Sequence, residues 1–391
     1  MLVLGCLVAL GPLTIDMYLP AFPTIAEEYD AAESQVQFTL TGMLLGLSVG
    51  QLVVGPISDA FGRRRPLMVG LTAHALASLG CSVAPTIEAL AAIRVVQGVS
   101  GAAVSVTAMA MLRDQFSGKA MARTMARLAL VIGLAPIIAP SLGGLVLEWA
   151  EWQAIFLVLA LAATLLLGVA RFGLVESLPR ERRRSARLGA SLRAYLALLR
   201  EGRFIALAVI GGSMMATMFA YVAGASFVLQ GGFGLSEREF ALAFGANAAG
   251  LVIGSQLNPL LLRRFSIVDV LTGGILASLT GGALLLLTGT TGFGGLWGVL
   301  LPLAVVVMSA GFSMPNTPAL ALENHAGEAG KAAAVLGFLQ FGIGGVISPV
   351  VGAFGSATAV PMAAVMLTMS SLAALLMFGV VRGNKSIGVP V

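Results

Sequence analysis

Long apolar runs recur twelve times along the chain, each broken by a short polar or turn-forming segment. They lie near 2–22, 38–58, 67–84, 89–112, 128–147, 154–174, 204–230, 238–262, 267–288, 295–316, 331–354 and 358–381. A helix crossing the hydrocarbon core needs about 20 mostly apolar residues, and each run has roughly that length. The first run, from Leu2, lacks a basic start and a clear small-residue cleavage site. With eleven more runs behind it, it reads as a retained helix rather than a signal peptide. The pattern predicts an all-α membrane protein with 12 transmembrane helices.

Composition agrees. The chain is 58% hydrophobic and only 10% charged, against about 25% charged residues in soluble domains. Too few polar groups exist to cover a soluble globule, and the apolar content excludes disorder. Two cysteines in 391 residues exclude a disulfide scaffold. Cys6 and Cys81 stand singly in apolar runs, and no Cys/His cluster, catalytic triad or phosphate loop appears. The chain is therefore expected to need no metal or cofactor and not to be an enzyme.

The net charge of +5 would suit nucleic acid, but its distribution argues against that partner. With both termini in the cytoplasm, 21 of the 23 Lys and Arg residues fall on the inner side. Arg238 alone falls outside, and Arg94 within a run. The acids divide almost evenly, as orientation by basic residues requires. The basic excess reports a multi-pass protein of the cell membrane, with the lipid bilayer as its partner.

The longest polar stretch, 175–203, carries Arg180, Arg182, Arg183, Arg184 and Arg187. It reads as a basic cytoplasmic linker between two six-helix bundles, 1–174 and 204–391, lying at the anionic inner leaflet. The halves echo each other. Gly46-Leu47-Ser48-Val49-Gly50-Gln51 resembles Gly250-Leu251-Val252-Ile253-Gly254-Ser255, and Ala139-Pro140-Ser141-Leu142-Gly143-Gly144 resembles Ser348-Pro349-Val350-Val351-Gly352-Ala353. Paired repeats with a site near mid-membrane are the plan of secondary transporters. The 49 glycines suit close helix approach in lipid. Gly133, Pro136, Pro140, Gly143 and Gly144 in the fifth run form a helix-bend motif. It serves tight packing or a bend at a sealed seam, and the residues allow both.

An ionisable residue at membrane depth costs roughly 2.5–3.5 kcal/mol on insertion scales. Two stand out, Asp16 and Arg94. Each lies about six residues from the outer end of its run, roughly 9 Å deep at 1.5 Å per residue. They form a static ion pair, or they share a polar cavity in which the carboxyl gains and loses a proton as the site turns from wet to dry. His74 reads as a packing residue before a relay. Asn247, Asn258, Asn316, Gln97 and Gln340 lie within runs; some line a cavity and some join helices. Tyr18 and the methionines offer an adaptable apolar lining.

Specific motifs carry a family resemblance. Gly55-Pro56-Ile57-Ser58-Asp59-Ala60-Phe61-Gly62-Arg63-Arg64-Arg65 resembles the signature loop of the major facilitator superfamily. Arg94-Val95-Val96-Gln97-Gly98-Val99-Ser100-Gly101-Ala102 resembles its fourth-span motif, and Gly133 to Gly144 the fifth-span motif of drug:proton antiporters. Ile15-Asp16-Met17-Tyr18-Leu19-Pro20-Ala21-Phe22-Pro23 is similar to the bicyclomycin/chloramphenicol-resistance (Bcr/CflA) group. So are Ala225 to Gln230, Gly254 to Asn258 and Gly337 to Gln340.

The resemblance implies two pseudo-symmetric bundles that export amphipathic drugs in exchange for protons by alternating access, driven by the proton gradient. By motif, Asp16 would be the proton-coupling carboxyl and Arg94 its cavity partner. Tyr18, Gln97, Asn247, Asn316 and Gln340 would complete the substrate cavity. Asp59, Arg63, Arg113 and Asp114 would latch the outward-facing state at the inner side. The second half's loop, Pro259 to Phe265, lacks the acid, so the latch is one-sided. A monomer is expected. The rival reading is a proton-coupled or facilitated carrier of a small metabolite, which would line its site with more Asn, Gln and Trp. A membrane sensor or scaffold is a third, and the repeat with its buried carboxyl speaks against it.

Overall fold

The structure is a computed structural model that describes residues 2–116, 118–183, 188–355 and 358–383. Arg184, Arg187 and Lys385 of the basic clusters lie outside the described residues. Among the described residues the fold is all helical. The long helices are α1 (Leu2–Asp16), α2 (Glu33–Phe61), α3 (Arg64–Ser82), α4 (Ile87–Gln115), α5 (Gly118–Leu147) and α6 (Gln153–Gly173). After a linker helix, Leu188–Leu198, come α7 (Gly202–Ser226), α8 (Glu237–Leu261), α9 (Ile267–Thr291), α10 (Gly295–Leu322), α11 (Ala329–Ala353) and α12 (Val360–Leu376).

These are the twelve expected elements, with three corrections. The first apolar run does not stop at 22. It continues through a turn and a short helix, Phe22–Glu28, and the whole run spans Val3–Glu28. Asp16 therefore stands near the middle of this run, not close to its end. The fifth helix starts at Gly118, earlier than the expected 128, because its polar first turns are helical too. Eleven of the described helices are long and apolar enough to cross a membrane. The exception, α3, opens on Arg64, Arg65 and Pro66, which shortens its apolar stretch.

The chain divides into two compact units, Met1–Ser191 with Leu235–Gly245, and Leu192–Gly234 with Ala246–Val391. In the first, Leu7, Leu10, Leu67, Leu71, Met111 and Leu128 are buried in one apolar core. The α2–α4 seam is set by glycine. A Cβ on Gly46 would fall 2.1 Å from the Val95 carbonyl oxygen, and one on Gly98 would fall 2.1 Å from that of Met43. In the second unit the α8–α10 seam repeats the device, with Gly254 facing the Met308 carbonyl at 2.3 Å and Gly311 facing Ser255 N at 2.5 Å. The first pair of repeated stretches, 46–51 and 250–255, thus lies on corresponding seams. Helix starts are capped locally: Thr86 Oγ1 accepts from Ala89 N at 3.2 Å on α4, and Ser266 Oγ accepts from Asp269 N at 3.2 Å on α9.

Candidate functional site

The site grows from a break in α1. Pro20 has no N–H, so in a continuing helix the carbonyl four residues earlier, that of Asp16, would go unbonded and clash with the ring. The helix accordingly ends at Asp16, and Leu19–Ala21 forms a single tighter turn. The broken backbone is gripped from α5. A Cβ on Gly143 would lie 1.8 Å from the Met17 carbonyl oxygen, so this contact requires glycine. The second glycine of the pair, Gly144, has ordinary room, its nearest neighbour being 3.5 Å away. Pro136 and Pro140 lie inside α5, and Gly133 is half-buried there.

Asp16 is 5% exposed, and its carboxylate has no hydrogen bond or ion pair among the described residues. Arg94 is fully buried on α4. Its Nη1 donates to the Thr14 carbonyl at 3.1 Å and to Gln97 Oε1 at 2.6 Å. Its Nε and Nη2 are buried without partners. The guanidinium carbon stands 4.3 Å from the centre of the Tyr18 ring and 5.7 Å from that of Phe156, within cation–π range. The static ion pair weighed from the sequence is not formed: no contact within 4.0 Å joins Asp16 to Arg94. The first unit brings Tyr18 and Gln97 to Arg94, which bonds the turn carrying Asp16. Tyr18 is fixed by its hydroxyl, 3.3 Å from Thr39 Oγ1, which itself donates to the Val36 carbonyl.

The expected cavity residues of the second unit are not gathered in this way. Gln340 lines a cavity of about 40 Å³ with Met214, Met215, Met218, Met314 and Ser313. Asn316 instead ties α10 to α8, its Nδ2 donating to Asn258 Oδ1 at 2.7 Å. Asn247 is buried with its Nδ2 unbonded.

The charge cluster forms around Arg63. This side chain donates to Asp59 at 2.6 Å, to Asp114 at 3.0 Å and to Ser58 at 3.0 Å. Burial alone would lower the Arg63 pKa, but the bonds to Asp114 and Asp59 outweigh it and raise it above its ordinary value. Arg113 is the correction: its side chain is exposed at the end of α4 and makes no ion pair among the described residues. Arg113 and Asp114 are adjacent in sequence, and neighbours i and i+1 do not share a helix face.

Glu176 takes a place in this cluster that the sequence reading missed. Its carboxylate accepts the backbone N–H of Arg63 at 2.8 Å, of Arg64 at 3.3 Å and of Leu178 at 3.0 Å. It thus sits on the first turn of α3, where a helix favours an anion. Burial would raise its pKa, but these N–H donors and Arg183 lower it overall. Gly62, at φ +86°, turns the chain beneath it.

Comparison with known proteins agrees with this geometry. The Major Facilitator Superfamily matches residues 4–349. An uncharacterized MFS-type transporter, YdgK of Bacillus subtilis, is 37% identical over 390 residues, covering 97% of this chain and 94% of its own length. A bicyclomycin resistance protein homolog of Haemophilus influenzae is 31% identical over 361 residues, covering 92% and 90%. In fold the chain is similar to the xylose transporter XylE of Escherichia coli in a partially occluded inward open conformation, with a TM-score of 0.77. That match covers 100% of this chain and 98% of the other at 15% identity, so it speaks for architecture alone. The chain belongs to the Major Facilitator Superfamily, a family of membrane transporters rather than enzymes, and within it resembles the bicyclomycin/chloramphenicol-resistance group.

Proposed function

We propose that this transporter exports amphipathic small molecules, of the chloramphenicol or bicyclomycin kind, in exchange for protons. One observation carries the reading: a buried carboxylate, Asp16, with no hydrogen bond or ion pair among the described residues, stands at a helix break whose last turn is bonded by a fully buried arginine. A carboxyl without a fixed partner is free to take up a proton from one side of the membrane and release it to the other as access alternates. Gln97 holds Arg94 against the turn that carries Asp16. Tyr18, Asn247, Asn316 and Gln340 are read as substrate-cavity residues. The methionines beside Gln340 supply a soft lining that suits ligands of varied shape.

The Arg63 cluster, with Asp59 and Asp114, acts as the latch of one conformational state. The linker 175–203 and both termini face the cytoplasm, the bundles are 1–174 and 204–391, and the protein works as a monomer. The metabolite-carrier reading is the less favoured, because four methionines and few polar groups line the cavity at Gln340.

The test is drug uptake into inverted membrane vesicles with and without a pH gradient. Wild type is expected to accumulate chloramphenicol only with the gradient, and Asp16→Asn to lose that dependence together with at least about 100-fold of the rate. Gradient-driven accumulation at the wild-type rate by Asp16→Asn removes this residue from coupling.

A further inference from the structure

The polar contacts below Asp16 close on themselves. The Thr14 hydroxyl has one hydrogen, and it goes to the Leu10 carbonyl at 2.6 Å. Its oxygen is left to accept, and His74 Nε2 stands 3.1 Å away. A neutral imidazole carries one N–H, and set on Nε2 it meets this acceptor. Nδ1 stands 3.3 Å from Ser100 Oγ, whose own hydrogen goes to the Gln97 carbonyl at 2.7 Å. From the other side, the His74 carbonyl accepts from Ser78 Oγ at 2.7 Å, and that oxygen accepts from Gln97 Nε2 at 2.8 Å. Gln97 Oε1 accepts from Arg94 Nη1 at 2.6 Å, and the second hydrogen of Nη1 goes to the Thr14 carbonyl at 3.1 Å. Thr14, His74, Ser78, Gln97 and Arg94 thus form a closed circuit across α1, α3 and α4. All five are fully buried.

The circuit has two consequences. The Thr14 carbonyl is one of the last four of α1, left open because the helix ends two residues later, and Arg94 satisfies it. The C-terminal turn of α1 is therefore held by its backbone from α4 and by its side chain from α3. A buried donor or acceptor that loses its partner bears its whole desolvation penalty, and a partly satisfied network is worse than an intact one. The circuit resists opening at a single link, so the turn bearing Asp16 moves together with α3 and α4.

We propose that this circuit is a positioning device that transmits the gain or loss of a proton at Asp16 to α3 and α4, with Thr14 and His74 as its positioning residues. The idea rests on the coupling role proposed for Asp16 above.

The experiment uses the whole protein in liposomes, with chloramphenicol as probe and an entrapped pH dye, and reads protons moved per drug moved. Thr14→Val keeps the side-chain shape and removes the hydroxyl. Its proton-to-drug ratio is expected to fall about fivefold, the worth of one buried neutral hydrogen bond, while chloramphenicol binding stays within about twofold of wild type. Thr14→Ser restores the hydroxyl and is expected to restore the ratio. A general loss of packing would not be rescued in this way. His74→Gln keeps an N–H near the Nε2 position and His74→Leu does not. The ratio is expected to survive in the first and fall in the second, and this pair decides the matter if Thr14→Val fails to accumulate. A wild-type ratio in both Thr14→Val and His74→Leu overturns the device, as does failure of Thr14→Ser to rescue. A wild-type ratio in Asp16→Asn overturns the coupling role instead, so the two failures are told apart.

Discussion

The two halves share a skeleton but not a chemistry. Glycines set the α2–α4 seam in the first and the α8–α10 seam in the second, at repeated stretches of sequence. In the first half a buried arginine, held by hydrogen bonds, and a buried carboxylate lie within the apolar runs. Among the described residues of the second half the buried polar groups are neutral. Asn316 bonds Asn258, and the buried hydroxyls of Ser213, Thr317 and Ser348 find no partner. Its charges stay at helix ends: Arg382 pairs with Asp269, and His325 Nε2 lies 2.8 Å from Glu201. Close packing is demanded of both copies by the same lipid surroundings. A membrane charge is demanded of neither, and is costly wherever it stands. Duplication therefore preserves the seams, while the charged site persists in one copy only, where it has a task. We read this as a division of labour, with coupling and latch in the first half and an adaptable wall in the second.

The sharpest way to break that division is to remove the charge. Arg94→Ala is expected to lower export at least about 100-fold, since it strips a buried network of its cation. Arg238→Ala, exposed near the start of α8, is expected to change export less than about twofold. Vesicle uptake measured on both checks the contrast, and equal losses would mean that membrane depth confers nothing on Arg94.

Next in size is Gly143→Ala. The new methyl meets the Met17 backbone at 1.8 Å, so either α5 or the broken turn must shift. A loss of about tenfold or more in transport is expected, with a lower melting temperature. Gly144→Ala meets nothing closer than 3.5 Å and is expected to be nearly silent. The second half carries Ala353 at the matching place in the repeat. Thermal unfolding and uptake on the two variants separate the close approach from general packing.

Much of this was legible in the sequence, for identifiable reasons. The twelve elements follow from apolar length, and the break in α1 could be read from Pro20 standing four residues after Asp16. Asp16 and Arg94 announced themselves because charge is rare in lipid. The network around Arg94 was not announced, because Thr14, Ser78 and Ser100 are residue types that membrane helices also use for packing. A signal existed in the spacing: His74 and Ser78 are four apart, Arg94 and Gln97 three apart, so each pair shares a helix face. Glu176 was invisible for a different reason. Its role lies in accepting backbone N–H groups from residues more than a hundred positions away, and no side-chain pattern encodes that. The second half's cavity was illegible too, since no pattern in the 17 methionines marks the four that meet around Gln340.

A smaller effect sharpens the comparison from the second half. Gln340→Ala removes one neutral hydrogen-bonding group from a methionine-lined cavity. A single such group is worth about 0.5–1.5 kcal/mol, so KM for a drug it contacts is expected to rise about three- to tenfold. The proton-to-drug ratio should stay at its wild-type value. A changed ratio with an unchanged KM would place coupling in both halves and end the division of labour.

The smallest effect belongs to the latch. Asp59 is about half exposed, and a pair of that kind contributes about 0.2–1 kcal/mol. Asp59→Asn is expected to slow cycling by no more than about fivefold, with drug binding intact. Glu176 is held more firmly, by three backbone donors. Its pKa in the folded protein lies below the ordinary glutamate value of about 4.3. Its stabilising contribution is therefore complete at neutral pH and fades as pH falls from that value through the lower folded one. Unfolding curves recorded from pH 7 to pH 3 should show wild type losing part of its margin over Glu176→Gln only in the acid limb. A constant margin across the whole range would mean that Glu176 holds α3 through packing rather than through its charge.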